Sequence, residues 1–258
     1  MEFAQIFSGF AVGALVGITG VGGGALMTPL LVLLFGIVPA TAVGTDLLYA
    51  ALTKSGGTLV HARRGHVDWR IVRRLAMGSL PAAALTLLLV ARLVPGGLAG
   101  AQRTITLALG IALLLTAIAL LLRRRLQTVA KARSAVSALA DRAWPTVLAG
   151  AVLGALVALS SVGAGALGVT TLFFLYPGLA AIRIVGTDLA HAVPLTLLAG
   201  LGHWWFGNID WLLLATLLIG SLPGVWLGSH LAPRIPERVL RPLLATMLAL
   251  AGGKLITA

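Results

Sequence analysis

"ITGVGGGALMTPLL", Ile18 to Leu31, puts four glycines into five residues of a chain whose neighbouring segments are apolar enough to run as unbroken helices. The pattern returns as a degenerate copy, "LSSVGAGALGVTTL", Leu159 to Leu172. Glycine clusters of this kind break a helix. At membrane depth such a break is tolerated only where protein buries the freed backbone or a wet cavity receives it. Two related breaks therefore predict a polar site inside an apolar protein.

Composition sets the class. Of 258 residues, 59% are hydrophobic and 10% are charged, and the mean hydropathy of +1.04 lies outside the range of soluble domains. Ten apolar segments follow one another at roughly 3–19, 24–38, 41–62, 70–93, 102–122, 145–160, 165–176, 183–205, 211–231 and 239–257. A bilayer core needs about 20 apolar residues per helical span, so the second and seventh are too short to cross comfortably. The expectation is an all-α polytopic membrane protein, with about eight transmembrane helices plus two broken or re-entrant hairpins, or ten tilted segments. The opening "MEFAQIFSGF" has no basic leader or small-residue cleavage site and reads as the first helix. Cysteine is absent, which excludes disulfides and thiolate chemistry. No cofactor or metal is expected.

A net charge of +12 raises the question of a nucleic-acid partner. The positions of the charges argue for topology instead. One assignment puts fifteen of the nineteen lysines and arginines on the cytoplasmic side, in loops around Arg63 to Arg74, Arg123 to Arg142, Arg183 and Arg234 to Arg241. Only Arg92, Arg103 and Lys254 then lie outside, Lys54 falls within the membrane, and both termini face out. The bilayer is the expected partner, and nucleic acid is not.

An internal repeat links the two halves. At an offset of 141, Gly9, Gly13, Gly22 and Gly24 fall on Gly150, Gly154, Gly163 and Gly165. One inserted residue later, "VGTDL" at Val43 to Leu47 falls on "VGTDL" at Val185 to Leu189, His61 on His203, Asp68 on Asp210, and "GSLP" at Gly78 on "GSLP" at Gly220. The loop after His61 is basic and its counterpart after His203 carries no lysine or arginine. With five segments per copy, the second is inverted. We divide the chain into a first transmembrane repeat (1–122), a basic cytoplasmic linker (123–143) that is helical in part, and a second, inverted repeat (144–258).

Several paired residues have structural explanations. Asp68 and Asp210 sit where helix N-caps belong, Trp69 and Trp211 suit the membrane interface, Pro81 and Pro223 kink long helices, and Gly13, Gly17 and Gly154 fit close helix packing. The candidate site is drawn from the rest. The breaks at Gly22, Gly23 and Gly24, and at Ser161, Gly163 and Gly165, leave helix N-termini with free N–H groups and a positive dipole end, which favours an anion. Thr45 and Thr187 can serve through their hydroxyls. Asp46 and Asp188 are the only carboxylates inside apolar segments, where an ionised group costs on the order of 3 kcal/mol. They either cap a neighbouring break or couple transport to a proton or cation. Lys54 lies eight residues past Asp46, about 12 Å along a helix, and either attracts an anion or snorkels to the surface. His61, His191 and His203 complete the candidates, with interfacial hydrogen bonding as the alternative to a gating or proton role.

The run "GVGGGALMTPLLVLLFGIVPATAVGTDLL", the basic loop after it, "GSLPAA" and the degenerate second copy resemble the sulfite exporter TauE/SafE family, also called the toluenesulfonate uptake permease family. The resemblance covers nearly the whole chain. It implies a bacterial cytoplasmic-membrane transporter for sulfur-containing anions such as sulfite and organosulfonates, sulfoacetate among them. By position it carries over to Gly22, Gly23, Gly24, Thr45 and Asp46, and to Gly163, Gly165, Thr187 and Asp188. The second copy departs at Ala164 and lacks the counterpart of Pro29. Other classes fit less well: both acids lie in identical "VGTD" contexts, unlike an intramembrane aspartyl protease, and no "GxSG" surrounds Ser161 for a Ser–His hydrolase with His203. A passive anion channel is the nearer alternative.

Overall fold

The computed structural model describes Glu2–Thr19, Gly24–Arg133, Ala143–Leu231 and Glu237–Thr257, all helix and connecting turn. The helices are α1 (Glu2–Thr19), α2 (Gly24–Leu33), α3 (Pro39–Arg63), α4 (Trp69–Leu93), α5 (Gly97–Gly100), α6 (Gln102–Arg133), α7 (Ala143–Ser160), α8 (Ala166–Leu175), α9 (Ala181–Trp205), α10 (Trp211–Leu231) and α11 (Glu237–Thr257). The ten apolar segments each become one helix, and α5 is an additional single turn. α2 and α8 are 10 residues each, about 15 Å and half the thickness of a bilayer core. Among the described residues, five helices are long and apolar enough to cross a membrane: α4, α7, α9, and the 102–122 and 211–228 parts of α6 and α10. α3 has the length, 25 residues, but carries Asp46, Lys54, His61 and Arg63. α6 continues past position 122 to Arg133, so the basic stretch is entered as helix.

Local chemistry sets the helix ends. Pro39 opens α3, where its missing N–H costs nothing. Asp68 caps α4 by accepting the N–H groups of Arg70 at 3.1 Å and Ile71 at 3.3 Å, and Asp210 accepts that of Leu213 at 2.9 Å. α3 stops at Gly65 (φ +69°) and α9 at Gly207 (φ +74°), both left-handed. In each turn the residue after the glycine closes a wide bond, His66 N–H to His61 O and Asn208 N–H to His203 O, both 2.9 Å. The capping expected from sequence is present in both copies.

The repeats are interwoven. α1 packs along α10, and α7, the counterpart of α1, packs along α4, the counterpart of α10. Backbone meets backbone at these seams: Gly9 lies on Leu217 and Gly13 on Ser221, as Gly150 lies on Leu75 and Gly154 on Ser79. From the other side, Gly78 meets the Val147 carbonyl and Gly220 the Ile6 carbonyl. No side chain fits at these glycines without parting the helices. The equivalent helices α3 and α9 face each other at the centre, with Leu48 on Gly200 and Gly57 on Leu189. Equivalent helices running antiparallel are what an inverted repeat requires. α6 and α11 form a second such pair. The central core gathers Val43, Leu47, Ala83, Leu87, Val157, Ala158, Leu195 and Ala199 from both halves.

Candidate functional site

The second break is a buried, left-handed link between α7 and α8. Ser161 (φ +57°), Gly163 (φ +131°) and Gly165 (φ +147°) occupy backbone regions that L side chains avoid. Val162 is fully buried and Ser161 is 2% exposed. α8 begins with no side chain capping it, and Ser161 Oγ is buried without a hydrogen-bond partner. Of the first break, Gly22 and Gly23 lie outside the described residues, and Gly24 opens α2.

Charged side chains from both repeats converge on the second break. Lys54, 5% exposed, reaches across from α3 and donates through Nζ to the Ala164 carbonyl at 2.5 Å. Asp188 and Asp46 are its charged neighbours, yet neither carboxylate pairs with it within 4.0 Å. Asp46, wholly buried, accepts the Thr28 hydroxyl of α2 on Oδ2 and has Ser161 as a neighbour. Asp188, 2% exposed, lies with Oδ1 against the backbone of Gly168 in the first turn of α8. Oδ1 of each acid has no hydrogen-bond partner. A buried ammonium and two buried carboxyl groups with unspent acceptors are costly unless function uses them.

The other candidates occupy different places. His191 shares a 2.8 Å hydrogen bond between Nε2 and Ser79 Oγ of α4. His203 donates Nε2–H to the Ala158 carbonyl at 3.0 Å, just ahead of the break. His61 sits at the end of α3, its ring 5.7 Å from that of His66. Thr45 and Thr187 bind the opposite repeat: the Thr45 hydroxyl accepts the Asp210 N–H at 3.1 Å and the Thr187 hydroxyl the Asp68 N–H at 3.0 Å. Beside them Gly44 fits against the Asn208 carbonyl and Gly186 against the His66 carbonyl. The repeated "VGTD" is thus a docking surface and a buried acid in consecutive residues.

Sequence reasoning did not find Thr28, Ser79, the Ala164 carbonyl or Gly168. Thr28 stands in the decisive stretch itself, but no spacing rule ties it to an acid eighteen residues later. Gly168 carried one signal, since it replaces Met27 of the first copy.

Two inverted helical repeats crossing at the centre, with charged groups and a broken helix buried there, are the architecture of a membrane transporter. The chain belongs to the sulfite exporter TauE/SafE family, which it matches over residues 5–255. It is similar to "Probable membrane transporter protein YjnA" of Bacillus subtilis strain 168, with 42% identity over 257 residues, 99% of this chain and 100% of the relative. "Probable membrane transporter protein YdhB" of the same strain is 29% identical over 253 residues, 94% of this chain and 95% of the relative. A "Probable membrane transporter protein" of Xylella fastidiosa strain Temecula1 is 28% identical over 231 residues, 89% of this chain and 84% of the relative. No solved structure matches the chain. The protein is a multi-pass membrane transporter.

Proposed function

We propose that the protein is a secondary carrier for a small sulfur-containing anion, an organosulfonate such as sulfoacetate or sulfite, across the bacterial cytoplasmic membrane with both termini outside. The observation that carries this reading is the uncapped N-terminus of α8, flanked by the unpartnered Ser161 hydroxyl and the Lys54 ammonium. Backbone N–H groups, a hydroxyl and a cation are the donor set that an oxyanion takes. The sequence of the first break repeats that of the second, and in this reading the anion binds between the two near the midplane while the repeats' elements move around it.

Asp46 and Asp188 supply the coupling. With Lys54 charged, two ionised acids leave this centre at −1, which repels an anion; one proton brings it to 0 and a second to +1. Anion and proton therefore favour each other's binding, and a proton is the coupling ion this centre suits. The test is electrogenic transport in liposomes with sulfite, sulfoacetate, taurine, sulfate and lactate, with a pH gradient imposed and then removed. Saturable currents restricted to sulfur anions and driven by the gradient are expected. Unsaturable currents would mean a channel, and gradient-independent transport would remove the acids from coupling.

A further inference from the structure

A groove of about 410 Å³ opens on the outside of the helix bundle between the ends of α4 and α9, away from the buried charges. Ala84, Leu88, Ala91 and Arg92 form one wall, and Gly202 and Trp205 the other. Its walls are apolar except for Arg92, which stands exposed at the end of α4. Trp205, 85% exposed, stands across from it, and tryptophan at a helix end belongs to the headgroup level. From Ala84 to Arg92 the groove runs about 12 Å along the helix, from the hydrocarbon region toward that level.

The inverted repeat offers an internal comparison, because each wall position has a counterpart 142 residues away. Ala84 corresponds to Trp226 and Gly202 to Val60. Trp226 covers its own face with its ring 4.5 Å from that of His230. Small residues at Ala84 and Gly202 line the groove where the aligned positions of the other copy carry the larger Trp226 and Val60.

We propose that this groove is a binding site for an anionic phospholipid of the bilayer, one acyl chain lying along Ala84 to Ala91 and the phosphate held by Arg92. Guanidinium is suited to phosphate by its fork of donors, and no acidic residue lines the groove to compete for it.

Native mass spectrometry of the purified protein titrated with dioleoyl phosphatidylglycerol or dioleoyl phosphatidylcholine tests the site. The expected result is a preference for the anionic lipid that Arg92→Gln lowers by fivefold or more, while Arg103→Gln leaves it intact. Ala84→Phe, which fills the groove, lowers retention of both lipids. Arg92→Gln binding phosphatidylglycerol as the wild type does would overturn the proposal. So would a change from oligomer to monomer in Ala84→Phe with lipid retention unaltered, which would make this face a contact between copies.

Discussion

The Thr45 hydroxyl accepts the backbone N–H of Asp210, 165 residues away, and the bond is repeated with the halves exchanged by Thr187 and Asp68. Each threonine thereby fastens the loop that starts a long helix of the other repeat. Replacing either by valine keeps the shape and leaves a partly buried N–H without its acceptor, a loss of about 1 to 2 kcal/mol. Thermal unfolding in detergent should show similar decreases for Thr45→Val and Thr187→Val. A decrease confined to one would deny the two bonds equivalent weight.

At Gly78 and Gly220 the fold has no room for a side chain, since a Cβ would meet the Val147 or Ile6 carbonyl. Gly78→Leu and Gly220→Leu should each reduce the yield of folded, monodisperse protein by size-exclusion chromatography. Gly56→Ala, in α3 with nothing close to its added carbon, is the control that should behave as wild type.

Gly165 holds φ at +147°, and an alanine there carries strain of about 1 to 3 kcal/mol. Gly165→Ala should weaken anion binding, measured by calorimetry with sulfite or sulfoacetate, more than it lowers the melting temperature. Ala164→Ser, on the same link but with an ordinary backbone, should bind as wild type. Equal affinity in Gly165→Ala would separate the link from the anion.

Gly168 is glycine because Asp188 Oδ1 occupies the space of its missing side chain. Gly168→Ala must displace the carboxyl group or α8, and either should alter the pH dependence of transport currents. Asp188→Asn should alter it in the same sense, and Gly168→Ala in an Asp188→Ala background should add little. Full additivity in that cycle would mean that the two positions do not act through their contact.

Lys54→Met removes the donor to the Ala164 carbonyl and the cation near two acids. Its destabilisation should be partly reversed by Asp188→Asn, with a coupling of about 0.5 to 3 kcal/mol by denaturation cycles. Independent effects would leave Lys54 bound to the carbonyl alone.

Much of the helical frame was legible in the sequence because membrane helices announce themselves by length and composition. The shortness of α2 and α8 and the Asp68 and Asp210 caps follow from local rules. The repeat was equally legible, but similarity between two stretches establishes equivalence, not contact. Nothing in "VGTD" reveals that its threonine faces the other repeat while its aspartate faces the centre. Counting along a helix set Lys54 well inside its apolar segment, and its side chain is buried, whereas its bond to Ala164 joins residues 110 positions apart. Ser79 and Thr28 escaped notice because a single hydroxyl in an apolar helix carries no periodic signal.

The packing of α1 on α10 and of α7 on α4 has a mechanical consequence. Neither half of the chain encloses a complete layer of its own, so no rigid piece of this machine corresponds to a contiguous half of the gene. A helix from one half is pinned to a helix from the other along glycine seams too tight to slide, and each such pair has to travel together. In the carrier proposed above, the plane that divides moving from stationary parts would therefore cut across both repeats. Two separate half-length chains, inserted in opposite directions, would have to embrace before either had a folded interior.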